Sequence, residues 1–161
     1  MPADLDLKVV NRIFGVIFAT NFITCMDFGF LPAATITLQE ELKITTAQLG
    51  ALGSCAYIGQ AVGSLIVSVF YRKYDEKTVM IAFLFLNGLS LLWFTLASSF
   101  LSLAFARAVA GIFQQVINIY YPVWADCFAE ESKKSAWVSI LLVGNTCGNI
   151  IGYIFMAFAQ D

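Results

Sequence analysis

Apolar residues along this chain gather into five long runs, at residues 13–36, 49–71, 78–98, 100–124 and 135–159, with charged clusters at every junction but the third. Each run reaches the length of about 20 residues that a helix needs to cross some 30 Å of hydrocarbon. None shows the apolar-polar alternation of a barrel strand. The pattern predicts an all-α membrane protein with five transmembrane helices, multi-pass and embedded in a lipid bilayer. Residues 1–12 form a polar N-terminal segment, and no stretch reads as a soluble domain or linker.

Composition agrees, since 60% of the 161 residues are hydrophobic and 12% are charged. One soluble core of this size has no room for so much apolar surface. The 9 Lys and Arg and 11 Asp and Glu give a net charge of −2, and no basic tract interleaved with aromatics marks a nucleic-acid partner. Cys25, Cys55, Cys127 and Cys147 form no CxxC pair, and the chain has no His to complete a zinc site. They read as small packing residues, with no metal and no cofactor implied. The charges Asp4, Asp6, Lys8 and Arg12 ahead of a long span do not fit a cleaved signal, so the first helix is expected to stay in the mature protein.

Basic residues mark the cytoplasmic side of a membrane protein. A cytoplasmic N-terminus places Lys8, Arg12, Arg72, Lys73, Lys77, Lys133 and Lys134 together, against Lys43 alone on the other side. The third and fourth runs meet at Ser98 and Ser99, which predicts a tight antiparallel hairpin.

Two charges fall inside the runs. Asp27 in the first and Arg107 in the fourth each cost about 2.5 to 3.5 kcal/mol if left alone in lipid. At 1.5 Å per residue both lie roughly 12 to 14 Å below the outer surface, a matched depth that makes them an expected pair. Arg107, Gly111, Gln114 and Asn118 recur at steps of four, three and four, and Thr20, Thr24 and Asp27 share a second stripe. The stripes predict a hydrated path lined by Thr20, Thr24, Gln114 and Asn118, in which protonation of Asp27 would release Arg107 or a bound anion. A salt bridge that only sets helix register is the competing reading. Asn87, Gln60 and Asn145, taken singly, read as interhelical hydrogen-bonding residues.

Gly144, Gly148 and Gly152, with Gly59, Gly63 and Gly111, place small residues on helix faces and predict close packing seams. Tyr120, Tyr121, Trp124 and Trp137 read as an interfacial aromatic belt. Pro32 and Pro122 are expected to bend their helices. The absence of His, of GxSxG and of paired carboxylates on one helix face argues against an enzyme and leaves no catalytic residue to name.

Together these features resemble the N-terminal bundle of a major facilitator superfamily transporter, through the basic loop from Gly63 to Lys77, Arg107 in ARAVAG, and GNTCGNIIGY. Within it the chain is most similar to the spinster-like lipid transporters, through Met26-Asp27, ARAVAGIFQQVINIYYPVWADCF and GNTCGNIIGYI. Arg107, Gly111, Pro122, Asp126 and Phe128 fall on that family's fourth-helix pattern. The resemblance implies a cytoplasmic charge network of Arg72, Lys73 and Asp126. Departures are Gln114 for the family's acid, Phe28 for the basic residue after the first-helix Asp, Arg72-Lys73 for an Asp-Arg pair, and Asp75 for a Gly.

A transporter of this kind uses two six-helix halves, so five helices are expected to be a fragment or incomplete chain of a secondary active transporter. It would move a small organic solute or a lipid, by symport or uniport, with further transporter helices or other membrane subunits as partners. The alternative is a structural subunit of a membrane complex, derived from a facilitator fold and inactive in transport.

Overall fold

Inside hydrocarbon every backbone amide needs a partner within the protein, and an apolar run meets that need by coiling into a helix. A computed structural model describes residues 7–159; Asp4, Asp6 and the rest of residues 1–6, with residues 160–161, lie outside the described residues. The elements are α1 (Leu7–Ala33), α2 (Thr35–Leu42), α3 (Thr46–Lys73), α4 (Glu76–Leu96), α5 (Phe100–Phe128) and α6 (Lys134–Ala159). Among the described residues, five helices are long and apolar enough to cross a membrane, namely all but α2. The shortest of these, α4, has 21 residues and spans about 31 Å at 1.5 Å per residue. The protein is an all-helical, multi-pass membrane protein.

The helix α2 lies in a segment that the search for long apolar runs passes over as a connection. It has eight residues, TITLQEEL, far below a membrane span. Lys43 follows it with φ 52°, a left-handed conformation that ends a helix and is normally given to glycine. The next start is well specified. Gln48 N donates to Thr45 Oγ1 at 3.3 Å while Thr45 N donates to Gln48 Oε1 at 2.8 Å, a reciprocal capping box opening α3. Arg72 and Lys73 occupy the last turn of α3, where cations suit the helix dipole. Asp75 caps α4 by accepting from Thr78 N at 3.2 Å.

The chain divides into two compact units. One holds α1, the end of α5 from Tyr120 onward, and α6. Its core gathers Val10, Ile17, Tyr121, Trp124 and Leu141, walled by Phe14, Phe18 and Trp137. Gly29, Gly148 and Gly152 lie so close to the facing backbone that an added Cβ would overlap the carbonyls of Asn149, Phe22 and Met26. At Gly144 it would strike the Phe18 ring. The α1–α6 pair is therefore packed backbone to backbone.

The second unit comprises residues 35–119. Its core is Val67, Val79, Phe83, Val116 and Ile117, with Phe83 edge-on to Phe113 at 5.5 Å. A glycine seam joins α3 to α5, where Gly59 abuts Ala108, Gly63 abuts Ile112 and Gly111 abuts Ala56. Residues 97–99 turn α4 into α5, and Trp93 Nε1 donates across that hairpin to Ser102 Oγ at 3.2 Å.

The aromatic belt needs correction. Tyr121 and Trp124 are buried, at 7% and 4% exposure, inside the core of the first unit. Trp124 stacks on Trp137 at 5.7 Å, so Tyr121 and Trp124 fill space between helices, while Trp137, 4.5 Å from Phe14, stays half-buried at their edge. Burial of large rings against one another outweighs their preference for the interface.

Candidate functional site

Within the second unit, α5 presents its polar residues inward. Arg107 and Gln114 are each 2% exposed and Gly111 is buried, while Asn118 is half-buried and donates to Gln115 Oε1 on the same helix at 3.3 Å. The Arg107 guanidinium carbon sits 5.5 Å from the centroid of the Phe94 ring on α4. That is within cation–π range, worth up to about 2 kcal/mol when desolvated, and it offsets part of the cost of burying a charge.

The position of Arg107 is set by the glycine seam. Gly111, one turn further along, allows α3 to touch α5, and Gly59 meets the carbonyl of Ala108, the residue beside Arg107. The helix carrying the charge is thus held on one side by α3 and on another by the Phe94 ring of α4. On α4, Ser90 Oγ donates to the Asn87 carbonyl at 2.7 Å and both residues are buried. The Asn87 side-chain oxygen takes no hydrogen bond among the described residues, so the interhelical bond expected of Asn87 is not made through that atom.

In the first unit the sequence reading missed a residue. Asn21, fully buried, donates through Nδ2 to Asn145 Oδ1 on α6 and lies 3.4 Å from the Leu141 carbonyl. Tyr121 on α5 lies beside Asn145. The result is a small polar cluster linking α1, α5 and α6 at the heart of an apolar bundle. Thr20 and Thr24, by contrast, bond back to their own helix, at Val16 O (2.8 Å) and Thr20 O (2.7 Å). Asp27 is half-buried on α1, next to Met26, whose carbonyl faces Gly152.

At the other end of this unit, Asp126 pairs with Lys134 at 3.1 Å, and Lys134 also holds Glu131 at 2.9 Å. Lys133 pairs with Glu130 at 2.8 Å. The polar partner that the structure gives Asp126 is therefore the first residue of α6.

Residues 16–159 match the Major Facilitator Superfamily. The chain is also similar to "Putative transporter AraJ" of Escherichia coli (strain K12), at 26% identity over 126 residues covering 78% of this chain and 32% of that protein. It thus spans about a third of the length of this curated relative. No solved structure matches the chain significantly. With five membrane-crossing helices and a family match through nearly all of them, the chain belongs to the major facilitator superfamily of transporters.

Proposed function

We propose that this chain is part of a secondary active transporter that moves a small organic solute or a lipid by alternating access, coupled to protons. The observation that carries the reading is Arg107, a guanidinium side chain 2% exposed on a membrane-crossing helix and seated over an aromatic ring. An ionisable group at such a place is expensive, and transport is the use that this family makes of such groups. The AraJ relative, named as a transporter, supports the same class. Similarity to spinster-like proteins in Met26-Asp27 and in the fourth-span and fifth-span motifs favours a lipid among the substrates.

In this reading Asp27 takes up and releases the coupling proton, Arg107 gates or holds an anionic group, and Thr20, Thr24, Gln114 and Asn118 line the path. Gln114 cannot titrate, so proton traffic falls to Asp27. Alternating access runs between two halves of the fold, so activity belongs to the complete transporter to which this chain contributes five helices.

The test is reconstitution of the intact transporter in vesicles with a pH-sensitive dye inside. A panel of radiolabelled small organic acids is offered in one arm and a fluorescent lysophospholipid in the other. Asp27→Asn is expected to insert normally and lose the pH dependence of uptake. Unchanged pH dependence would remove Asp27 from the coupling role, and wild-type vesicles without uptake in either arm would favour a structural subunit.

A further inference from the structure

The first unit contains a cavity that the transport reading does not use. It measures about 250 Å³ and is lined by Asn11, Phe128, Glu130, Lys133 and Trp137. Asn11 lies near the start of α1, Phe128 ends α5, and Trp137 stands in the first turn of α6. Three membrane-crossing helices therefore have their ends at its walls, which puts the cavity at the bilayer boundary.

Its chemistry is mixed in a particular way. Glu130 and Lys133 offer one charge of each sign, 2.8 Å apart and about half exposed. An exposed ion pair of this kind contributes little to stability, so a ligand can exchange both partners at little cost. Trp137 is held by Trp124, stacked at 5.7 Å, and by Phe14 at 4.5 Å. An indole held in that way is a ready surface for an ammonium group. Asn11 adds an amide that can donate to a phosphate oxygen. The volume lies below the roughly 300 Å³ at which sites for drug-sized ligands begin, and it suits a headgroup better than a whole lipid or drug.

We propose that this cavity binds the headgroup of a zwitterionic phospholipid, with the phosphate at Lys133 and Asn11 and the ammonium between Glu130 and Trp137. The acyl chains remain in the surrounding bilayer. An anionic headgroup would meet the Glu130 carboxylate beside the lysine that attracts it, so the site selects against a lipid with no cation to offer. This inference does not depend on which substrate is transported, or on whether the protein transports at all.

The experiment is native mass spectrometry of the intact protein in mild detergent, titrated with phosphatidylethanolamine or phosphatidylglycerol of identical acyl chains. The first phosphatidylethanolamine is expected to bind about fivefold more tightly, the worth of one half-exposed ion contact. Glu130→Gln should bring that ratio to about one, and Lys133→Gln should weaken both lipids. Both positions are exposed on the turn before α6, so folding should survive, and an unchanged thermal midpoint verifies it. Equal binding of the two lipids by the wild type, or a preference that Glu130→Gln leaves intact, overturns the proposal. Free phosphoethanolamine competing as well as the lipid, mole for mole, would assign the site to a soluble ligand and overturn it likewise.

Discussion

Single residues in this protein follow from solvation. Asn21 is the clearest case, because a buried amide in an apolar bundle must find partners, and it finds Asn145 and the Leu141 carbonyl on α6. Removing either Asn by substitution with Leu should destabilise the α1–α6 pair. A double-mutant cycle of Asn21→Leu and Asn145→Leu should return a coupling of about 0.6 to 1.7 kcal/mol, the range for hydrogen bonds between membrane helices. Additive losses in detergent unfolding would show that the amides do not act together. Lys43 presents the opposite case, a side chain where none is wanted. Its φ of 52° costs about 1 to 2 kcal/mol for a residue with a Cβ, set against ~0.4 to 1 kcal/mol of extra chain entropy if glycine replaces it. Lys43→Gly should therefore raise the thermal midpoint, by up to about 6 °C, and a lowered midpoint would show that the Lys side chain contributes more than its backbone costs. Arg107 and Gln114 were legible in the sequence because polar residues inside an apolar run stand out. Asn21 was not legible, because its partner lies 124 positions away on a helix whose neighbour no periodicity reveals.

Helices in lipid gain little from hydrophobic burial against each other, so their pairing depends on close approach. Here that approach is made at glycines. Gly59 and Gly111 bring α3 and α5 together, whereas a Cβ added at Gly53 or Gly88 would meet nothing within 4 Å. The contrast gives a controlled prediction. Gly59→Ala should cost about 1 to 3 kcal/mol because backbone must move. Gly88→Ala should be neutral or stabilise by up to ~1 kcal/mol, since alanine is the better helix former. Thermal midpoints of the two variants by size-exclusion fluorescence would check this, and equal shifts would show that the α3–α5 contact does not rest on Gly59. The five long helices were readable because length and hydropathy alone define a membrane span. The short α2 was not, since eight residues of mixed polarity resemble a loop to any search for long apolar runs. The aromatic residues near the end of α5 were misread for a related reason. Sequence gives their position along a helix but not the direction in which they face, and only the stacking of Trp124 on Trp137 reveals that Trp124 looks inward.

At the scale of the whole molecule, charge decides what packing cannot. No contact between helices distinguishes one side of a bilayer from the other, but the insertion machinery reads Lys and Arg flanking each span. Lys8, Arg12, Arg72, Lys73, Lys77, Lys133 and Lys134 flank alternate ends of the spans, with Lys43 alone among the opposite ends. This imbalance predicts that the start of α1, the α3–α4 turn and the α5–α6 turn face the cytoplasm, and that α2 with Lys43 faces outward. The same orientation would put the proposed headgroup cavity, lined by Lys133, on the cytoplasmic leaflet. A cysteine-free background with Lys43→Cys or Lys73→Cys, treated in intact cells with a membrane-impermeant maleimide, tests it directly. Label should reach position 43 at once and position 73 only after the cells are opened. The reverse order would invert the protein, and would mean that flanking sequence beyond these five helices, not these seven basic residues, sets its topology.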